Sequence, residues 1–126
     1  MKEFKKYFTL HASPEDVYNA LVNPAMIEIW TGEPARMSEE PGSEFSLWDG
    51  SITGRNLEFE KSRKIVQEWD FEGEEAPSVV TLLLHPSGKG TSLEIRHVNI
   101  PDDSFENIRD GWVEDYLGGL EQLFEE

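Results

Sequence analysis

The sequence predicts an α+β fold in which a curved antiparallel sheet carries two short helices and one long C-terminal helix packed across it. Three observations predict it. Between Gly42 and Gly54, Phe45 and Leu47 alternate with polar residues, Asp49-Gly50 supplies a pair that tolerates positive φ, and Ile52 resumes the alternation. That is the pattern of a hairpin closed by a type I′ turn. Gly54, inside the second arm, marks a bulge or a close backbone approach and therefore a bent sheet. Finally, the segment from Phe105 to Phe124 is amphipathic and long enough to lie across such a sheet.

Each element follows in order. Phe4, Lys6, Phe8 and Leu10 share one face of an opening strand, so the N-terminus reads as strand rather than signal peptide. Ser13-Pro14-Glu15-Asp16 starts a helix with a hydroxyl cap, a proline in the first turn and carboxylates near the positive dipole end. Val17, Tyr18 and Leu21 continue it at helical spacing. Asn23-Pro24 repeats the device for a second short helix carrying Met26, Ile27 and Trp30, and Thr31-Gly32-Glu33-Pro34 stops it.

A six-strand meander is expected next. It comprises a short strand at Ala35–Ser38, the two hairpin arms to about Phe59, Arg63–Phe71, Ser78–His85 and Thr91–Val98. Glu72–Pro77 reads as an acidic loop, and Pro86 to Gly90 as a turn. Ser104 stands where a helix cap would stand. In the last helix Phe105, Ile108, Trp112, Tyr116, Leu120, Leu123 and Phe124 recur at three- and four-residue steps, with Val113 and Leu117 widening the stripe. Gly118-Gly119 costs roughly 1 kcal/mol per glycine in a helix interior, which points to close contact with a neighbouring element. No repeat or linker divides the chain, so residues 1–126 read as one domain.

Composition narrows the function. Fourteen aromatics, of which seven are Phe, four Trp and three Tyr, concentrate apolar area in few positions. The absence of cysteine excludes thiol nucleophiles, disulfides and thiolate-ligated metals and fits a cytoplasmic location. Twenty-six Asp and Glu against eleven Lys and Arg give a net charge of −15, whose field repels phosphate backbones and anionic lipid surfaces. Neither nucleic acid nor a membrane is an expected partner, and no apolar run approaches the ~20 residues of a membrane helix.

The order of elements now coincides with specific residues. Ser13-Pro14-Glu15-Asp16-Val17-Tyr18 opens the first helix. Gly42-x-x-Phe45 and Asp49-Gly50-x-x-x-Gly54 form the hairpin, Ile65-Val66-x-x-Trp69 the next strand, and Gly111-Trp112 lies in the last helix. In these motifs and their spacing, essentially the whole chain resembles the C-terminal domain of the activator of heat-shock-protein-90 ATPase, within the START-like, Bet-v-type helix-grip (SRPBCC) superfamily. The resemblance implies a helix-grip fold and, from the superfamily, binding of apolar small molecules between helix and sheet. Eukaryotic family members carry a separate N-terminal domain involved in chaperone activation, so the resemblance does not by itself transfer that activity.

Alternation assigns the face that meets the long helix: Phe45, Leu47, Ile52, Gly54, Asn56, Gln67, Trp69, Phe71, Val80, Leu82, Leu84, Leu93, Ile95 and His97. Asn56, Gln67 and His97 interrupt this apolar set. A buried polar group left unpaired costs about 1–3 kcal/mol, so each needs a partner, a water or a ligand. Apolar walls with a few polar groups are the usual make-up of a ligand site. Asn56, Gln67, Trp69, His97, Trp112 and Tyr116 are therefore the candidate ligand-binding residues, and a bulky side chain at position 56 should be tolerated as cavity filler.

Catalysis finds little support. His11, His85 and His97 are not at metal-ligand spacing, and His11 and His85 fall at strand ends. The carboxylate pairs Glu39-Glu40 and Glu74-Glu75 fall in turns. Gly88-Lys89-Gly90 lacks the strand-to-helix context of a phosphate loop. The expected function is non-enzymatic binding of an apolar small molecule, without cofactor or metal, in a cavity between the C-terminal helix and the sheet. The alternative is a protein-interaction module with a chaperone as partner.

Overall fold

The computed structural model describes residues 1–125. Six strands, β1 (Lys2–Leu10), β2 (Glu44–Leu47), β3 (Ile52–Glu60), β4 (Lys64–Trp69), β5 (Ser78–Ser87) and β6 (Gly90–Ile100), form one sheet in the order β1-β6-β5-β4-β3-β2. Every neighbouring pair is antiparallel. Two helices, α1 (Pro14–Val22) and α2 (Pro24–Thr31), intervene between β1 and β2. The C-terminal run comprises α3 (Phe105–Asp110), a π-helical segment (Gly111–Tyr116) and α4 (Leu117–Leu123).

The local signals act as their chemistry dictates. The Ser13 hydroxyl accepts from the Asp16 N–H, and the Asn23 side chain accepts from the Ala25 N–H. A proline follows each cap, and Gly32, at φ 76°, ends α2. Asp49 and Gly50, at φ 52° and 93°, make the type I′ turn, closed by the Ser51 N–H on the Trp48 carbonyl at 3.1 Å. Gly54 lies where a Cβ would stand 1.8 Å from the Glu68 carbonyl oxygen. The register shift falls slightly further on, between Asn56 and Glu58, so that Leu57 is the extra residue and faces out.

Four expectations fail for identifiable reasons. Residues 35–38 form no strand. Arg36 and Ser46 exchange one pair of backbone hydrogen bonds, an isolated bridge, between the prolines at 34 and 41. The sheet consequently has six strands in all rather than an opening strand plus six. Ser104 caps nothing, because its backbone is already helical and a short 3₁₀ turn (Asp102–Ser104) precedes α3. Val113 is exposed rather than part of the apolar stripe. The wide turn of the π segment, in which the Leu117 N–H reaches back five residues to the Trp112 carbonyl, rotates it outward while Leu117 becomes fully buried.

The concave face of the sheet is the core. Phe45, Leu47, Ile65, Trp69, Val80, Leu82, Leu84, Leu93 and Ile95 are buried on it, beneath Val17, Tyr18 and Leu21 of α1, Ile27 and Trp30 of α2, and Trp112, Tyr116, Leu117 and Leu120. Of the remaining inner-face residues, Ile52 and Phe71 are half-buried at its end. α2 lies directly against α4. There a Cβ on Gly119 would stand 2.7 Å from the Trp30 carbonyl oxygen, whereas one on Gly118 would meet only an ordinary contact at 3.8 Å. The two glycines should therefore separate on mutation. Gly118→Ala should stabilise by about 0.5–1 kcal/mol through helix propensity. Gly119→Ala should destabilise by about 1–3 kcal/mol by prising α2 from α4. Urea denaturation of the two variants reads both signs.

Candidate functional site: an aromatic groove beside the C-terminal helix

The residues from which a site could be built centre on one stacked pair. Trp69 from β4 and Trp112 from the π segment lie 4.8 Å apart between ring centroids at 16°. Trp112 then meets Tyr116 at 4.5 Å, and Tyr116 meets Trp30 at 4.9 Å. The first pair is stacked and the other two are tilted or edge-on, and such aromatic pairs add roughly 0.5–1.5 kcal/mol each beyond the area buried.

Behind the stack runs a continuous hydrogen-bonded relay. The Asn56 amide donates to the Ser38 carbonyl, the Ser43 hydroxyl and the Met37 sulfur, at 3.2, 3.1 and 3.4 Å. Gln67 Nε2 donates to Asn56 Oδ1 at 2.9 Å, and Trp69 Nε1 donates to Gln67 Oε1 at 3.0 Å. The Ser78 hydroxyl donates to the Trp69 carbonyl at 3.1 Å. His97 bonds Ser78 Oγ through Nε2 at 2.8 Å and accepts the Trp112 indole N–H through Nδ1 at 3.0 Å. An indole nitrogen only donates, so Nδ1 carries no proton and Nε2 does. The relay thus fixes one neutral tautomer. Burial without a compensating charge pushes the His97 pKa down to about 4.

The six candidate residues divide accordingly. Asn56, Gln67 and His97 are 0, 3 and 0% exposed, and their hydrogen-bonding groups are taken up within the protein, by one another, by the side chains of Met37, Ser43, Trp69, Ser78 and Trp112, and by the Ser38 carbonyl. Trp69, Trp112 and Tyr116 instead form the floor of an open groove of about 650 Å³. It lies between the hairpin turn and the C-terminal run. Trp48, Ile52 and Ile108 make its apolar walls; Glu33, Asp49 and Asp115 stand at its rim. The Tyr116 side chain is only 4% exposed, yet its hydroxyl has no hydrogen-bond partner among the described residues and keeps access to solvent. Burial raises the pKa of this phenol, so it stays neutral.

Trp48 is the groove residue that alternation misses. Phe45 and Leu47 face the core, so position 48 should face away. It adopts φ 49° instead, a conformation uncommon for a bulky residue. That turn brings the indole back against Trp30 at 5.7 Å and Tyr116 at 6.0 Å. The only trace in the sequence is a large aromatic directly before Asp49-Gly50. Among the described residues no group of three or more His, Asp or Glu is arranged to hold a metal ion, and no helix is long and apolar enough to cross a membrane.

The family described as activator of Hsp90 ATPase homolog 1-like protein matches residues 11–125. The chain belongs to this family. It is 32% identical over 126 residues to an activator of 90 kDa heat shock protein ATPase homolog from Dictyostelium discoideum, covering 98% of this chain and 33% of that protein. It is 27% identical over 118 residues to the human homolog 1, covering 92% and 35%. The chain therefore spans about a third of the length of these relatives. A crystal structure described as an HSP90 activator from Plasmodium falciparum superposes with a TM-score of 0.89 at 28% identity, covering 98% of this chain and 96% of that one. The family's helix-grip architecture, an antiparallel curved sheet with a long C-terminal helix across it, is the architecture found here.

Two measurements test the relay. Removing Asn56 leaves Gln67 Nε2 and the groups at Ser38 and Ser43 without their partner, so Asn56→Ala should cost at least about 2 kcal/mol. The same bonds reverse the expectation that a bulky residue is tolerated at position 56: Asn56→Phe should be strongly destabilising. His97 titrates near pH 6.5 when unfolded and near 4 when folded. Its stabilisation is complete above pH 6.5. It is lost as the pH falls to 4, because the unfolded chain takes up a proton that the native state refuses. The loss should approach about 3 kcal/mol. It should be read as the difference in pH slope between the wild type and His97→Gln.

Proposed function

We propose that this protein binds an apolar small molecule, without catalysis, in the groove floored by Trp69, Trp112 and Tyr116. The observation that carries this reading is the Tyr116 hydroxyl. The Tyr116 side chain is only 4% exposed, yet its hydroxyl keeps access to solvent and has no hydrogen-bond partner among the described residues, in an aromatic groove of about 650 Å³. That volume lies within the usual range of small-molecule sites. A hydroxyl so placed can bond a ligand without first giving up a bond to the protein. In this reading Asn56, Gln67 and His97 serve the ligand indirectly, by holding the two tryptophans that form the floor.

A neutral apolar fluorophore, N-phenyl-naphthylamine, tests the reading. It should bind the native protein with enhanced emission. Gly111 lines the groove, and a Cβ there meets nothing nearer than an Asp115 carboxylate oxygen at 4.0 Å. Gly111→Leu should therefore fold normally, fill the space, and weaken the probe on the order of tenfold, ~1.4 kcal/mol. A native protein that leaves the probe dark removes the proposal.

A second reading rests on the relatives' descriptions: a protein-interaction module that acts on a 90 kDa heat shock protein. The Plasmodium falciparum chain described as an HSP90 activator aligns over 96% of its own length, which favours this reading. Stimulation of a purified 90 kDa heat shock protein's ATPase by this chain would support it. Stimulation undiminished in Gly111→Leu would assign that activity to a surface other than the groove.

A further inference from the structure

The rim of the groove is chemically one-sided. Glu33 comes from the segment after α2, Asp49 from the hairpin turn and Asp115 from the π segment, and all three line the same opening. None of these carboxylates forms an ion pair among the described residues, although Glu58, Glu60, Glu94, Asp102 and Asp110 all do. No lysine or arginine lines the groove. Three like charges from distant parts of the sequence thus face one opening. Beneath them lie the rings of Trp48, Trp69, Trp112 and Tyr116, whose quadrupoles attract a cation. Tyr116 is itself only 4% exposed, and its neutral, solvent-accessible hydroxyl has no hydrogen-bond partner among the described residues.

We infer that the ligand of this groove is an organic cation, an amine or ammonium compound carried on an aromatic or otherwise apolar body. This rests on the groove being a binding site at all and specifies what it selects. An apolar body fills the space between Trp48, Ile52 and Ile108. Its ammonium group meets the carboxylates of Glu33, Asp49 and Asp115 at the mouth. A hydrogen-bonding atom at its far end meets the Tyr116 hydroxyl. A neutral analogue keeps the area burial and loses the charge contribution; a carboxylate analogue adds a fourth negative charge and is repelled.

The test uses three probes that share one ring system: naphthylmethylamine, naphthylmethanol and naphthoate. Calorimetry at neutral pH with the full chain, at low salt and at about 0.15 M salt, reads their affinities. The amine should bind about tenfold more tightly than the alcohol, the naphthoate should bind most weakly, and the amine's advantage should shrink as salt rises. Two variants of equal net charge separate the rim from the overall acidity of the chain. Glu33→Gln/Asp49→Asn/Asp115→Asn should bring the amine down to the alcohol. Glu72→Gln/Glu74→Gln/Glu75→Gln, in the acidic loop between β4 and β5, should leave the preference intact. Alcohol binding as tight as amine binding overturns the inference and leaves the groove reading standing. Equal loss in both triple variants also overturns it, because the preference would then belong to net charge. Failure of all three probes to bind the wild type removes the groove reading itself.

Discussion

The stacking of Trp112 on Trp69 is the contact on which the remaining structure depends. A sheet face and a helix stripe can bury apolar area against each other in many registers. The stack admits few, because each indole also has one N–H that needs an acceptor in the dry interior. Trp69 finds Gln67, Trp112 finds His97, and those residues are themselves held through Asn56 and Ser78. The relay therefore links β3, β4, β5, β6 and the C-terminal run. It converts a nonspecific apolar contact into a single arrangement.

Two local departures from regular geometry then open the groove. The π segment inserts a wide turn at Gly111–Tyr116, which keeps Trp112, Tyr116 and Leu117 facing inward and turns Val113 out. The left-handed conformation of Trp48 folds its indole back toward Trp30 and Tyr116 instead of leaving it on the convex side. Either departure costs free energy in isolation, and they meet at the same place. With regular α-helix and regular strand geometry, the rings that line the groove would not converge.

Membership of the Hsp90-activator-like family fixes architecture more firmly than activity, since the Dictyostelium and human relatives are about three times as long as the region they share with this chain. The interior beneath the helix is packed by the stack and its relay, and the accessible space lies beside the helix, toward the hairpin turn.

Periodicity, caps and turn chemistry determined the elements of this protein, because those signals act over a few residues. Ser13-Pro14, Asn23-Pro24, Gly32 and Asp49-Gly50 each place a boundary by local backbone chemistry. Alternation also placed Asn56, Gln67 and His97 on the buried face. What those three residues do there was decided by tertiary structure. Whether a buried polar group bonds a ligand or a neighbour depends on which atoms lie within about 3 Å, and Asn56 and Gln67 become partners only through the pairing of β3 with β4. The same holds for residues 35–38, where a strand-like pattern found one bridging partner in place of a ladder, and for Val113, which helical spacing alone assigns to the wrong side. Above all, the acidic rim joins positions 33, 49 and 115, which the sequence keeps far apart. Only the closure of the helix over the hairpin turn brings them to one opening, and that is a property of the fold rather than of any segment.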